Sequence, residues 1–134
     1  MNNQKTGLAG EQEAAEYLER KGYVVLDRRY RFERAEVDLV CFQPAGGESP
    51  GGELVFVEVK TRTTDAYGSP DEVLLPRQRK RIVHAARAYM YERKMEGALA
   101  RFDVVAIWLD RPRQHGVDEV VEPRVKHFKH AFTA

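Results

Sequence analysis

The sequence predicts an α/β domain in which helices flank a mixed β-sheet, with the element order αβββαβ. The first indication is composition: of the 134 residues, 43% are hydrophobic and 32% are charged, which is typical of a globular domain with its own core. The second is periodicity, because two long segments repeat apolar residues at helical spacing while shorter segments have the apolar pattern of strands. No repeat or linker divides the chain, so we expect a single domain over residues 1–134.

The first half of the chain predicts one helix followed by strands. Thr6 is expected to cap the helix, which runs to about Lys21 and stops at Gly22. The Gly- and Pro-rich residues 44–53 predict a long, flexible hairpin loop between two strands. The predicted strands are Tyr23–Leu26, with an irregular continuation through an arginine-rich stretch, then Glu36–Phe42 and Leu54–Lys60.

The second half predicts a long helix, a central strand and an optional last strand. Residues 69–72 have a capping-box pattern, and Pro76 restarts the helix. Phe102–Leu109 is apolar on both faces, which indicates a central strand, and a last strand or arm is predicted near Arg124–Phe128. The buried stripe of the helix is expected to consist of Ile82, Ala85, Ala86, Tyr89 and Met90.

Composition also limits the compartment and the partners. One cysteine, Cys41, excludes an internal disulfide, and no apolar run approaches the roughly 20 residues that span a bilayer. The polar start of the chain lacks the apolar segment of a signal peptide, so we expect a cytoplasmic protein without membrane contact. The net charge is only +1, but basic residues form two clusters, which predict either phosphate contacts or solvated faces. The clusters are Arg28, Arg29, Arg31 and Arg34, and Arg77, Arg79, Lys80 and Arg81.

Two of the predicted strands carry charged residues among apolar ones. In the strand Glu36–Phe42, alternation places Asp38 on one face and the apolar residues Val37, Leu39 and Cys41 on the other. One natural antiparallel register with Leu54–Lys60 places Asp38 opposite Glu58 and Glu36 opposite Lys60, all on one face. A slip by one residue would separate them. This register also pairs Phe42 with Leu54 and Val40 with Phe56.

Facing carboxylates in a half-buried sheet require a counter-charge. Asp38 and Glu58 repel each other unless one takes a proton or a cation lies between them, and Lys60 offsets only part of that charge. A divalent ion binds both carboxylates, and we expect Mg²⁺, with Mn²⁺ as an alternative. A metal, an activated water and a nearby cation are what phosphodiester hydrolysis requires. The alternative is a buried ion-pair cluster that determines the strand register.

A third acid lies on the first helix. Leu8, Ala15 and Leu18 are expected on the buried stripe of this helix, and Glu11 falls between them on the same face. Glu11 is therefore predicted to be a further or outer metal ligand. The alternative is that it interacts only with the helix dipole.

These residues carry a family resemblance. Asp38, then Glu58-Val59-Lys60, with Glu11 on the preceding helix, resembles the PD-(D/E)XK nuclease superfamily, and αβββαβ is similar to its restriction-endonuclease-like core. More narrowly, the chain resembles the YraN-like family of small bacterial predicted nucleases, which in turn resemble Holliday-junction resolvases. The resemblance extends from Gly7 to Phe132 and depends on the motifs GLAGEQEAAEYL, EVDLV, FVEVKTR, YGSP and RFDVV.

The resemblance implies a catalytic set of Glu11, Asp38, Glu58 and Lys60, with the Val59 carbonyl as an additional metal ligand. It implies a Mg²⁺-dependent endonuclease acting on DNA, with branched or damaged DNA as the expected substrate and RNA as an alternative. A symmetric homodimer would present two such sites. The chain departs from the family pattern at two positions, with Ala35 in place of the usual Gly and Arg29 in place of the usual Asn.

Basic residues near the predicted cleft are expected to hold the nucleic-acid backbone without reading its sequence. Gln78, at the start of the second helix, either points into the cleft or lies at a solvated helix start. A different class of function, a nucleic-acid-binding or assembly module with a non-catalytic site, is the alternative to an enzyme. The arginines expected to contact phosphates are Arg29, Arg31, Arg62, Arg77 and Arg79.

Overall fold

A computed structural model describes residues 3–44, 51–62, 74–109 and 124–134, and the predicted capping box at residues 69–72 lies outside these ranges, as does most of the predicted loop. The fold is α/β, as predicted, and includes the optional last strand. None of the helices in the described ranges is long and apolar enough to cross a membrane. The elements are α1 (Asn3–Arg20), β1 (Val24–Phe32), β2 (Ala35–Gln43), β3 (Glu53–Arg62), α2 (Pro76–Glu92), β4 (Ala100–Trp108) and β5 (Arg124–Phe132).

The strands form one mixed sheet in the order β1-β2-β3-β4-β5. The first three strands are antiparallel neighbours, β3 and β4 are parallel, and β5 returns antiparallel to β4. A parallel pair needs a crossover connection, and α2 lies between β3 and β4 in the chain. The buried strand β4 lies between β3 and β5, which confirms the central strand predicted at Phe102–Leu109.

Each face of the sheet is covered by one helix. On one face, Ala14, Ala15 and Leu18 of α1 pack against alternate residues of β2, β3 and β4. The other face packs against α2, whose buried residues are Ile82, Ala85, Ala86 and Tyr89, with Met90 partly buried. Burial of an apolar side chain contributes about 1.5–3 kcal/mol, so these two cores position the strands between them.

The ends of the helices confirm some sequence predictions and correct others. Gly22 ends α1 as predicted, because its φ of 93° is readily adopted only by glycine. The predicted start is wrong: α1 begins at Asn3, so Thr6 lies inside the helix. Leu8 is also not part of the core, since 48% of it is exposed. The prediction that Pro76 begins α2 is confirmed, and Gln78 Oε1 accepts a hydrogen bond from Leu75 N at 2.9 Å.

At Arg29, the alternation of side chains between the two faces of β1 is interrupted. Arg28 donates a hydrogen bond to Gln12 of α1 at 2.7 Å, whereas Tyr30, two residues later, packs edge-on against Tyr89 of α2 with ring centroids 5.1 Å apart. Regular strand geometry would place residues 28 and 30 on the same face. Arg29 has a φ of 53°, in the left-handed region that Asn adopts more readily than Arg, and this conformation interrupts the alternation.

β2 changes face at the same level of the sheet. The pairs Arg28–Leu39 and Tyr30–Val37 lie on either side of Arg29 and Asp38. Val37 packs in the α2-side core and Leu39 in the α1-side core. The prediction that these two residues share a face is therefore wrong, because the strand follows the reversal in its hydrogen-bonded neighbour.

The entry into β2 explains why alanine is tolerated at position 35. The turn between β1 and β2 takes its left-handed conformation at Glu33, whose φ is 57°. Ala35 is already a buried strand residue paired with Phe32. The replacement of glycine by Ala35 consequently does not strain the turn.

A buried charged cluster connects β4 and β5. Asp103 is fully buried and accepts hydrogen bonds from Arg101 Nε at 3.0 Å and from the His130 backbone at 3.2 Å, and it contacts His127 Nε2 at 2.7 Å. Burial alone would raise the pKa of Asp103, but the hydrogen bonds from His127 and Arg101 and their charge lower it below its ordinary value. Asp103 thus pairs with the arginine two residues before it in the same strand. Arg101 also donates to Tyr23, Gln43 and Glu53.

We predict that Asp103→Asn lowers the free energy of unfolding at pH 7 by about 3 kcal/mol, because it removes the buried charge that compensates Arg101. Since the folded pKa of Asp103 lies below the unfolded value of 3.8, its contribution is present above that value and is lost as the pH falls further. Urea unfolding at several pH values measures both effects.

Asp27→Asn is the matched control for this substitution. Asp27 pairs with Arg93 at 3.0 Å, and 33% and 48% of the two side chains are exposed. Because such a pair contributes about 0–1 kcal/mol, the control should lose far less stability. Equal losses for both substitutions would contradict the anchoring role of Asp103.

Candidate active site

The β2–β3 hairpin brings Asp38 to the edge of the candidate site. The register pairs Val40 with Phe56, as predicted from sequence, and its last pair is Leu39 with Val57. Beyond that pair, Asp38 Oδ2 accepts a hydrogen bond from Val59 N at 2.8 Å. The aspartate side chain thus occupies the place where a main-chain acceptor would continue the ladder.

Asp38 and Glu58 form a hydrogen-bonded carboxyl pair. Burial raises the pKa of Asp38 to about 6, although the hydrogen bond from Val59 N opposes this rise. Burial also raises the pKa of Glu58 to about 8, and the adjacent charge of Asp38 raises it further, while Lys60 lowers it. Two neighbouring carboxylates repel each other in a partly buried site, so binding of a proton between them is favoured.

The pair lines a cavity of about 260 Å³ between the sheet and α2. One wall comes from the strands and contains three acids, while Gln78 and Arg81 come from the first turns of α2. Gln78 therefore points toward the cleft, although its Oε1 also caps the helix. The lining residues are Arg34, Glu36, Asp38, Glu58, Gln78, Arg81 and Ile82.

Lys60 lies beside this pair and outside the cavity lining. Its Nζ is 3.9 Å from Glu58 Oε2, which is an ion-pair distance but too long for a hydrogen bond. Both side chains are largely buried, with exposed fractions of 24% and 19%. The ammonium group therefore reduces the negative charge of the site without neutralising both carboxylates.

Glu11 belongs to α1, on the other face of the sheet from α2. Its Oε1 accepts a hydrogen bond from Arg29 Nε at 2.9 Å. After burial and the Val59 hydrogen bond, the charge of Glu11 is the next influence on the pKa of Asp38, which it raises. The carboxylate of Glu11 therefore pairs with Arg29, and its charge also acts on Asp38.

The predicted phosphate-binding arginines differ in their contacts within the protein. Arg29 binds Glu11, Arg31 Nη2 lies 3.1 Å from Glu36 Oε2, and Arg79 Nε donates to the Leu74 carbonyl at 3.0 Å. Arg77 is exposed at the start of α2, and Arg62 is half-buried at the end of β3. The cavity itself instead contains Arg34 and Arg81.

Arg34 and Arg81 belong to the two basic clusters of the sequence but are not among the predicted site residues. A signal existed for Arg81, which follows Gln78 by one helical turn and therefore lies on the same helix face. No comparable signal existed for Arg34, because its position depends on the turn between β1 and β2.

The oxygen-rich pair is suited to a hard cation. Among the described residues, no three His, Cys, Asp or Glu side chains form a cluster arranged to hold a metal ion. Mg²⁺ is commonly bound by one or two carboxylates plus water, and a cation between Asp38 and Glu58 would offset their mutual repulsion. The residues present therefore fit a magnesium ion held by two carboxylates.

The fold and the site together define an α/β protein with a mixed five-stranded sheet and a carboxyl pair beside its β2–β3 hairpin. The chain belongs to the Uncharacterised protein family UPF0102, whose family model matches residues 10–107. It is 38% identical over 122 residues to a UPF0102 protein of Moorella thermoacetica, and the aligned region covers 91% of this chain and 96% of that protein. It is 39% identical over 131 residues to a UPF0102 protein of Geobacter sulfurreducens, covering 98% and 91%.

We predict that the free energy of unfolding, measured without divalent ions, decreases as the pH rises from about 5 to about 8. The folded pKa values of Asp38 and Glu58 lie above the unfolded values of 3.8 and 4.5, so the folded state holds the extra proton in this range. The stabilisation from this proton is complete when the pH is below the unfolded pKa values, and it is lost as the pH rises through the folded pKa values. Each proton contributes a slope of about 1.4 kcal/mol per pH unit at most.

Glu58→Gln should flatten this dependence, because it removes one titrating group and the charge that perturbs Asp38. Glu16→Gln, on the exposed face of α1, is the matched control and should retain the dependence. Denaturant unfolding at closely spaced pH values compares the two. An unchanged slope in Glu58→Gln would show that the pair does not share a proton.

Proposed function

We propose that this protein is a metal-dependent endonuclease that hydrolyses DNA phosphodiester bonds. The observation that carries the proposal is the position of Asp38 and Glu58, two partly buried carboxyl groups that lie together in a cavity containing two arginines. The resemblance of the sequence to the PD-(D/E)XK nucleases supports the same function. Perturbed carboxyl groups in a cleft are typical of functional sites.

Asp38 and Glu58 are the proposed Mg²⁺ ligands, with Mn²⁺ as an alternative ion and the Val59 carbonyl as an additional ligand. When bound there, Mg²⁺ would supply polarisation of the phosphate and activation of the attacking water at neutral pH. The hydrogen bond from Val59 N orients the Asp38 carboxylate, and Lys60 fixes the neighbouring Glu58 by charge.

Two further residues complete the proposed catalytic set. Lys60 supplies positive charge where negative charge develops on the phosphate, which is the function of its ammonium group in the transition state. Glu11 holds Arg29 near Asp38 and is assigned an outer role. Arg29 in turn keeps a positive charge at the edge of the site.

Branched or damaged DNA is the proposed substrate, with RNA as the alternative. Arg29, Arg31, Arg62, Arg77 and Arg79 are proposed to contact the backbone, and a homodimer would present two sites to one branched molecule. Cleavage assays on single-stranded, linear duplex and four-way DNA, with matched RNA, distinguish these substrates. Binding without cleavage in Mg²⁺ and Mn²⁺ would instead favour a non-catalytic nucleic-acid-binding module.

We predict that Mg²⁺ binds to the purified protein and that Asp38→Asn weakens this binding at least tenfold. Metal should also raise the melting temperature, because it binds the folded state alone. Calorimetric titration at pH 8 measures the affinity, and binding should weaken as the pH falls because protons compete for the carboxylates. Asp27→Asn is the control. Equal affinity in Asp38→Asn and wild type would remove Asp38 from the metal site.

We predict that Lys60→Ala lowers the cleavage rate about a hundredfold or more, because one charged donor is lost from the transition state. Metal affinity and melting temperature should change little. The comparison uses Lys94→Ala, an exposed lysine after α2, as the matched control. Wild-type turnover in Lys60→Ala would show that this lysine serves only as an ion-pair partner of Glu58.

A further inference from the structure

Two neighbouring cavities share a pair of arginines. Arg34 and Arg81 line both the 260 Å³ cavity that contains Asp38 and Glu58 and a second cavity of about 580 Å³. The remaining residues of the second cavity are Glu33, Ala35, Lys80 and His84. The two spaces are therefore contiguous, with the arginines at their common boundary.

The two cavities differ in their balance of charge, although both contain Arg34 and Arg81. The first contains three acids, which suits a cation at the Asp38–Glu58 pair. The second contains three cations and one carboxylate, Glu33, which already contacts His84 Nε2 at 3.1 Å. The excess of positive charge in the second cavity suits an anion.

The cations of the second cavity are not used to hold the fold together. Arg34, Lys80 and Arg81 are exposed, and their side chains form no hydrogen bond or ion pair with the residues that the structure describes. Other arginines of the chain behave differently: Arg29 and Arg31 each bind a glutamate. The side-chain charges of Arg34, Lys80 and Arg81 are thus available to an external anion, and they lie together on one cavity.

We propose that Arg34, Lys80 and Arg81 form a second phosphate subsite, which binds the backbone phosphate adjacent to the one held at Asp38 and Glu58. The inference rests on the proposed nuclease function for the identity of its ligand. A nucleic-acid strand carries one negative charge per nucleotide, so a strand that places one phosphate at the carboxyl pair presents the next to its neighbour. Arginine forks bind phosphate oxygens in a bidentate manner, which adds geometric specificity to the contact.

The test uses the double variant Arg34→Ala/Arg81→Ala and the charge-matched control Arg20→Ala/Arg87→Ala, whose arginines are exposed on α1 and α2 away from both cavities. Binding of labelled single-stranded, linear duplex and four-way DNA is measured over a potassium chloride series in EDTA. The subsite variant should bind at least tenfold more weakly at low salt, with a salt slope reduced by about one unit for the lost phosphate contact. The control should retain the wild-type slope.

Two further measurements complete the experiment. Arg34→Lys/Arg81→Lys should restore the slope, because it keeps the charge, while its affinity stays below wild type because the bidentate forks are lost. Melting temperatures verify that the variants fold, and Mg²⁺ affinity should be unchanged, since the carboxyl pair is intact.

The outcomes separate this proposal from the nuclease proposal. A reduced slope in the subsite variant alone supports the subsite, even if the wild-type protein cleaves nothing and is a binding module. Equal slopes in the subsite variant and its control overturn the subsite, even if the wild-type protein cleaves DNA in Mg²⁺.

Discussion

The hydrogen bond from Val59 N to the Asp38 carboxylate is the interaction on which the candidate site depends. It joins β2 and β3 where their main-chain ladder ends, and it brings Asp38 against Glu58. Placing two carboxyl groups together in a largely buried position costs free energy unless a proton or a cation lies between them. The molecule therefore contains a group that opposes its own stability at neutral pH, which is common where residues are retained for chemistry rather than for folding.

The arrangement of charge around this pair follows a division among the basic residues. Arg101 holds the core at β4 and β5, and Arg29 and Arg31 bind glutamates near the site. Arg34 and Arg81 are left to face the two contiguous cavities. The net charge of the chain is only +1, but ion pairs neutralise positive and negative side chains together. The surface around Arg34 and Arg81 is therefore locally positive.

Stability and the candidate site are linked through α2. Ile82 belongs to the α2-side core and also lines the cavity, while Gln78 and Arg81 extend from the adjacent turns of the same helix. The packing of Ile82, Ala85 and Tyr89 on the sheet holds these polar side chains over the carboxyl pair. Substitutions in this core are expected to alter the geometry of the site even where they do not contact it.

The sequence by itself determined the order of the elements, the buried stripe of α2 and the pairing of Val40 with Phe56, because each depends on a local apolar period. It also indicated that Asp38 and Glu58 lie close together, although the strand ladder ends at Leu39–Val57 and the hydrogen bond from Val59 N to Asp38 completes their approach. Only the tertiary structure decided that Val37 and Leu39 face opposite sides, because Arg29 adopts a left-handed φ that no alternation rule contains. The tertiary structure likewise decided which cations face the cavity. Arg29 pairs with Glu11 of α1, which is distant in sequence, whereas the turn between β1 and β2 places Arg34 at the cavity.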